Sequence, residues 1–407
     1  MDDVVKLICA SSIFILFYSM VSKYIRDMLY IPDPFITLLF GIAIGHHGLN
    51  VLNTHYVYSK IIVLNFSRIV LCLQTMAISL KIKKEYLKTS SMVLFNLVVL
   101  GGFIKCFITF ILIFGSTYLD VPTSWALAAS LTPTDPILSS SIVSGEFAKQ
   151  NVATKLKNIL TTESGINDGL GIILVNISIL LYSAANQTFG TKFKEFIINT
   201  VLIKVLFSIL CGIVLGKIVN SCNKVCLRLQ LLNSNTLIIQ SFALTFLILS
   251  LMAMIDGSEL ICIFFTGIFL NEDNWYISHQ SNFRISYVIE NSFSMALFVF
   301  LGSRIDFTRF NMQMFKIIIN AIFIRIITII MLYRQFLFAV IGSFKEACFV
   351  GYFGPVGVGA IYYSLLYDAL VDALTIDYAM CSVFVSVIIH GLSVPTYCAI
   401  KYILRYI

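Results

Sequence analysis

The sequence predicts an all-α polytopic membrane protein of about thirteen transmembrane helices, two of them broken. Three observations carry this. Of 407 residues, 58% are hydrophobic and only 12% charged, with mean hydropathy +0.92; a soluble domain carries about 25% charged residues. Apolar stretches of the length that crosses a bilayer, about 20 residues, recur from end to end. Basic residues collect in alternate loops.

In chain order, spans are expected near residues 4–22, 34–50, 61–80, 91–115, 124–144, 156–183, 196–219, 232–254, 258–271, 284–303, 314–334, 346–367 and 374–400. The first lacks the basic start and small-residue cleavage site of a signal peptide, so it is expected to stay as a span. The loops after odd-numbered spans carry seventeen cations and the opposite side seven, with most of the loop acids. The positive-inside rule then puts the N-terminus outside and the C-terminus inside. The Asn186–Thr188 glycosylation sequon falls in an outside loop on this reading. Four cations lie within spans. Arg68, Lys204 and Lys105 are within reach of an interface by snorkelling. Arg325 sits near the middle of the eleventh span, where snorkelling is hardest, and needs a buried acid.

Several classes are excluded. With 7 prolines and 22 glycines, no flexible linker is evident. The net charge of +7 lies in loops, and no basic run interleaved with aromatics suggests nucleic acid. Ten scattered cysteines form no CxxC pair and have no histidine at metal spacing, so they read as core filler. No phosphate loop appears, and no nucleophile has an oriented base, so neither a cofactor nor an enzyme activity is expected. His390 gives no sign of a catalytic role.

What remains is polar residues inside spans. A carboxylate at the bilayer centre costs roughly 3 kcal/mol on insertion scales, so it marks a cavity or an ion path. Span five carries Asp135 between Pro133 and Pro136. Each proline lacks a backbone N–H and disfavours helix just before it, so the helix should unwind over Thr132–Pro136. The Thr134 hydroxyl and freed carbonyls would then face inward beside Asp135. Span six reads as one helix holding Glu163, Ser164, Asn167 and Asp168. Ser164 and Asp168 are four apart and share a face. Asp168 lies about 20 Å into the span, near the midplane. Gly165 and Gly169 form a small-xxx-small pair expected to admit broken span five.

Span twelve carries four glycines and a proline in Gly351–Ala360, including Gly354 and Pro355, a second break signal. Two interrupted helices in different halves point to an inverted-repeat secondary transporter with its site where they cross. Asp135, Asp168, Thr134 and Ser164 offer only oxygen, which suits a small hard cation. A cation channel or a symporter on a related scaffold is the competing reading. An intramembrane hydrolase built on Asp135 and Asp168 fits Asn167, Ser164 and the broken helix less well.

At these residues the chain resembles the monovalent cation/proton antiporters, in particular the fungal plasma-membrane sodium/proton antiporters. The resemblance rests on Thr134–Ala148, Leu160–Gly169, Phe353–Tyr363 and His390–Pro395, and runs over almost the whole chain. It implies an inverted-repeat antiporter fold with crossed discontinuous helices and a homodimer. It implies a transport bundle around 91–183 and 314–400 against a dimerisation scaffold around 1–80 and 196–303. It implies exchange of Na+, with Li+ or K+ as alternatives, for H+, without cofactors. Asp168 would alternate between proton and cation, with Asp135, Thr134 and Ser164 as co-ligands and Asn167 shaping its carboxylate. Glu163 would pair with Arg325, and Glu290 would support the site. The chain departs from the resemblance at Ser79–Ile82, where Lys81 replaces an acid, and at Ser258–Glu259, where an acidic pair is usual. No long hydrophilic tail is expected after the last span. Coupling would follow from competition: a buried carboxylate is poorly tolerated bare, so it holds either a proton or a metal ion.

Overall fold

The computed structural model describes residues 3–52, 60–136, 138–139, 152–184, 188–233, 236–279, 283–371 and 375–403, and among them regular structure is helical throughout, with no strand. Helices α1 (Asp3–Met28), α2 (Asp33–Ile44), α3 (Lys60–Lys81), α4 (Lys84–Ser116) and α5 (Val121–Ser130) come first. Next are α6 (Thr154–Ala184), α7 (Phe189–Arg228), α8 (Thr236–Met254) and α9 (Glu259–Leu270). The last are α10 (Phe283–Arg304), α11 (Met312–Leu337), α12 (Phe344–Tyr352), α13 (Val358–Val371) and α14 (Thr375–Ile403). Each predicted stretch contains helix. Eight of the described helices are long and apolar enough to cross a bilayer.

Both predicted breaks are present. Helix α5 ends at Ser130, and Leu131–Asp135 is not helical. Residues 353–357 separate α12 from α13. The reason is local: Pro133, Pro136 and Pro355 each remove a donor that an unbroken helix would use. The sequon residues Asn186 and Gln187, and 140–150 within the motif after Asp135, lie outside the described residues.

Short α9 is the packing centre. Nearly all its side chains are buried, and it packs against α3, α7 and α8. Ser258 caps its start by accepting from Ile261 N, and Ser258 N donates to the Ser208 hydroxyl of α7. At its far end Asn271 Nδ2 donates to Leu80 O of α3 at 2.7 Å. These bonds make α9, α3 and α7 one unit. Helices α4, α5, α6, α11, α12, α13 and α14 pack among themselves, and they meet that unit mainly through α13 and α6.

The glycine pair of α6 admits a different neighbour from the one expected. A methyl group at Gly165 would meet Ile78 of α3 and Phe264 of α9, and one at Gly169 would meet Ile261 of α9. The broken segment approaches α6 about half a turn past Gly169, where Gly171 lies against Pro133 and Tyr363. Two residues separate Gly169 from Gly171, a rotation of about 200° that carries the contact to the opposite side of the helix.

Candidate ion site at the helix crossing

The two breaks are tied to each other by Asp135. Its backbone N–H donates to Pro355 O at 2.7 Å. Its Oδ2 accepts from Val358 N, the first residue of α13, at 3.1 Å. Its Oδ1 accepts from Leu138 N at 2.9 Å. A carboxylate is thus placed where N–H groups point out of a helix start, the favoured site for negative charge. Gly357 allows this approach, because a Cβ there would overlap the Asp135 carboxylate.

The opposite ends of the half-helices receive side-chain hydrogen-bond donors. Lys105 Nζ donates to Leu131 O at 2.8 Å and Thr132 O at 2.9 Å, the carbonyls freed where α5 stops. Snorkelling is therefore not what Lys105 does: it is buried, and it closes the negative end of a helix dipole. At the end of α12, His390 Nε2 lies 2.9 Å from Tyr352 O. Arg325 makes a bidentate pair with Glu163, at 2.8 and 3.0 Å, and reaches Val350 O at 3.4 Å. Gly354 leaves room for that guanidinium, since a Cβ there would overlap it.

Hydroxyls fill the space between α6 and the α5 break. Thr134 Oγ1 lies 3.1 Å from Ser164 Oγ, which is 3.3 Å from Ser139 Oγ. Asn167 Nδ2 donates to both Thr134 Oγ1 and Glu163 Oε1 at 3.3 Å, linking the hydroxyls to the ion pair. Asp168 is different. It is 1% exposed, and its Oδ2 has no hydrogen-bond partner among the described residues. The Tyr363 hydroxyl donates to Asp168 O, holding the backbone rather than the carboxylate. The side chain that faces the Asp168 carboxyl is Thr75 of α3, whose hydroxyl is also buried. Hydroxyl and carboxylate oxygens with idle lone pairs, in a dry crossing, form a donor set for a hard cation or a proton.

The model of the family "Sodium/hydrogen exchanger, transmembrane" matches residues 12–400. The chain belongs to this family. It is 33% identical over 372 residues to the Na(+)/H(+) antiporter 2 of Zygosaccharomyces rouxii, covering 86% of this chain and 44% of that protein. It is 30% identical over 369 residues to the Na(+)/H(+) antiporter of Saccharomyces cerevisiae, covering 86% and 36%. The chain thus spans less than half the length of these two relatives. Its fold is similar to that of the sodium proton antiporter MjNhaP1 from Methanocaldococcus jannaschii, with TM-score 0.74 at 17% identity over 98% of each chain. It is an integral membrane protein of the exchanger family.

Within this exchanger chain, the crossing brings together Thr134, Asp135, Glu163, Ser164, Asn167, Asp168, Arg325, Gly354 and Pro355, with Pro133 and Pro136 flanking the break. Glu290 lies on α10, and its side chain is outside those described. Two site residues escape sequence reasoning. Thr75 sits in an apolar run, with no local signal to distinguish it from a helix-packing threonine. Lys105 carried a signal, a cation in mid-span, but its partners are main-chain carbonyls that no residue type reveals.

A second buried charge cluster lies on the α9 side. Arg68 Nε donates to Glu259 Oε1 at 2.6 Å, and the Tyr362 hydroxyl donates to the same oxygen at 3.0 Å. Lys204 donates to Asn176 Oδ1 at 3.0 Å. Both cations are part-exposed, and each has an oxygen partner within the bundle.

Proposed function

We propose that this chain exchanges Na+ for H+ across the membrane, with Asp168 holding either ion but not both. One observation carries the reading: a fully buried carboxylate oxygen without a partner, at the crossing of two broken helices. An isolated buried anion costs far more than a hydrogen bond restores, so Asp168 is stable only when neutralised. Thr134, Ser164 and Thr75 supply hydroxyl oxygen to a metal ion. Asp135 acts through charge, because both its oxygens already accept backbone N–H groups. Asn167 and the Glu163–Arg325 pair hold the hydroxyls in place.

Competition at one site gives exchange when the empty charged form crosses least readily. The moving unit in this reading is the bundle around 91–183 and 314–400, working by alternating access. The scaffold is 1–80 and 196–303, in a homodimer of thirteen-span chains with N-terminus outside and C-terminus inside. Helices α1 and α7 support the dimer, since in each only 17% of its 18-residue apolar window is buried within one chain. The names of the fungal relatives support Na+ as cargo; the plasma membrane as location, and Li+ and K+ as further cargoes, belong to the same proposal. The test is proton efflux from proteoliposomes on adding each alkali cation with the voltage clamped. Cation-dependent efflux that disappears in Asp168→Asn supports the reading; efflux retained in that variant overturns it.

A further inference from the structure

The Arg68–Glu259–Tyr362 cluster is not used by the ion site, yet it lies on the way to it. Three positions along α3 fix this. Lys60 is the first residue of the helix; Arg68 lies about 12 Å further in and Thr75 about 10 Å beyond that, at 1.5 Å per residue. Arg68, Cys72 and Thr75 follow at spacings of four and three, so they share one face. Cys72 is fully buried and within electrostatic reach of Arg68, Glu259 and Asp168. The order along this face is therefore charge cluster, Cys72, ion site.

A cavity of about 210 Å³ opens at the Lys60 end. Its lining includes Lys60 and Val63 of α3, Leu301 of α10, and Leu365 of α13. It stops where the cluster begins: Leu365 is one helical turn from Tyr362, and Val63 is about one and a half turns from Arg68. Arg68 and Glu259 sit on α3 and α9, which the Asn271–Leu80 bond joins. Tyr362 sits on α13. Its neighbour Tyr363 holds the main chain of Asp168. A single turn of α13 thus touches both the ion site and the charge cluster across the boundary between the two bundles.

We infer that Arg68, Glu259 and Tyr362 form a bolt that closes the route from the Lys60 side to Asp168. The inference rests on the reading of Asp168 as the exchange site. Glu259 is buried and paired with Arg68, and the Tyr362 hydroxyl shares the oxygen of that pair, the charge-assisted class of hydrogen bond. Sliding α13 past α3 and α9 must break it, while the Arg68–Glu259 pair stays intact on its own unit. The bolt therefore weights the equilibrium towards the state closed on that side.

Cys72 is a native reporter of this closure. A membrane-impermeant methanethiosulfonate is applied to the full chain in sealed vesicles, from each face in turn, without Na+. The label on Cys72 is quantified by peptide mass spectrometry, and Na+-dependent proton efflux is measured on the same vesicles. In the parent chain Cys72 should label slowly from the Lys60 side. Tyr362→Phe keeps the ring and removes only the hydroxyl, and should raise that rate about tenfold. Glu259→Gln weakens the same bond from the other bundle and should act in the same direction. A rise confined to the Lys60 side supports the bolt. No rise in either variant, or an equal rise from both faces, overturns it. If labelling behaves as expected but the parent shows no Na+-dependent efflux, the bolt stands and the exchange reading falls.

Discussion

Asp135 and Asp168 are buried to the same degree at the same crossing, 3% and 1% exposed, and their surroundings are opposite. Asp135 gives one oxygen to Leu138 N and the other to Val358 N. Asp168 keeps Oδ2 bare. Burial alone therefore does not tell these two carboxylates apart; their partners do. A saturated carboxylate is a fixed counter-charge for the positive end of a helix. A bare one has an open demand that only a proton, a cation or water can meet. The comparison extends to a third acid, Glu163, which Arg325 grips with both nitrogens.

The largest effect should come from removing the bare carboxylate. Asp168→Asn is expected to abolish Na+-dependent proton efflux with little change in thermal stability, because Oδ2 loses no bond. Efflux assays and detergent melting curves on the same preparation separate the two quantities. Next is Arg325→Ala, which strands Glu163 in a dry site and should cost about 3–5 kcal/mol, read as a lowered melting temperature. Replacing both partners by apolar residues, as in Glu163→Leu with Arg325→Met, should recover much of that loss.

The saturated carboxylate should respond in the other direction from Asp168. Asp135→Asn places an amide NH2 against a backbone N–H, whichever way it is turned, and should cost about 1–3 kcal/mol of stability. If this variant melted like the parent while Asp168→Asn melted lower, the assignment of roles would be reversed. Thr75→Val tests the bare side again at smaller scale. It preserves shape and removes only the hydroxyl that faces Asp168, so stability should change little. The Na+ concentration giving half-maximal efflux should rise about tenfold if Thr75 is a ligand, and Thr75→Ser should restore it.

How much of this was legible in the sequence depends on which atoms make the bonds. Side-chain chemistry was readable: two prolines around Asp135 gave the break, and a mid-span arginine demanded a buried acid, which the family resemblance identified as Glu163. Main-chain chemistry was not. That Lys105 serves the carbonyls of Leu131 and Thr132, and that Asp135 is filled by the N–H groups of Leu138 and Val358, depends on backbone directions that emerge only when the breaks cross. Glu259 stood out only as a departure from the familiar acidic pair, because its partner Arg68 lies 191 residues away in the chain. The glycines of α6 showed that a helix would approach closely but not which one. Small residues permit contact on any side, and long-range packing decides the partner.

Asp306 supplies the control for the whole comparison, a saturated carboxylate in water. It lies in the loop between α10 and α11, where its Oδ1 accepts from the Thr308 hydroxyl at 2.6 Å and Thr308 N at 3.0 Å. His47 Nε2 stands 3.1 Å from the same oxygen. The Thr308 hydroxyl first, and His47 after it, hold the Asp306 carboxyl down from 3.8 to about 2. A depressed carboxyl contributes its stability above its unfolded value and loses it as pH falls through the folded one, so the window runs from about pH 4 down to about pH 2. Its side chain is 23% exposed, and solvent can replace any partner it loses. Asp306→Asn should therefore cost less than about 1 kcal/mol at pH 7 and flatten the melting temperature across that acid window. A loss as large as that of Asp135→Asn would mean that saturation alone, and not saturation in a dry crossing, makes such a carboxylate indispensable to the fold.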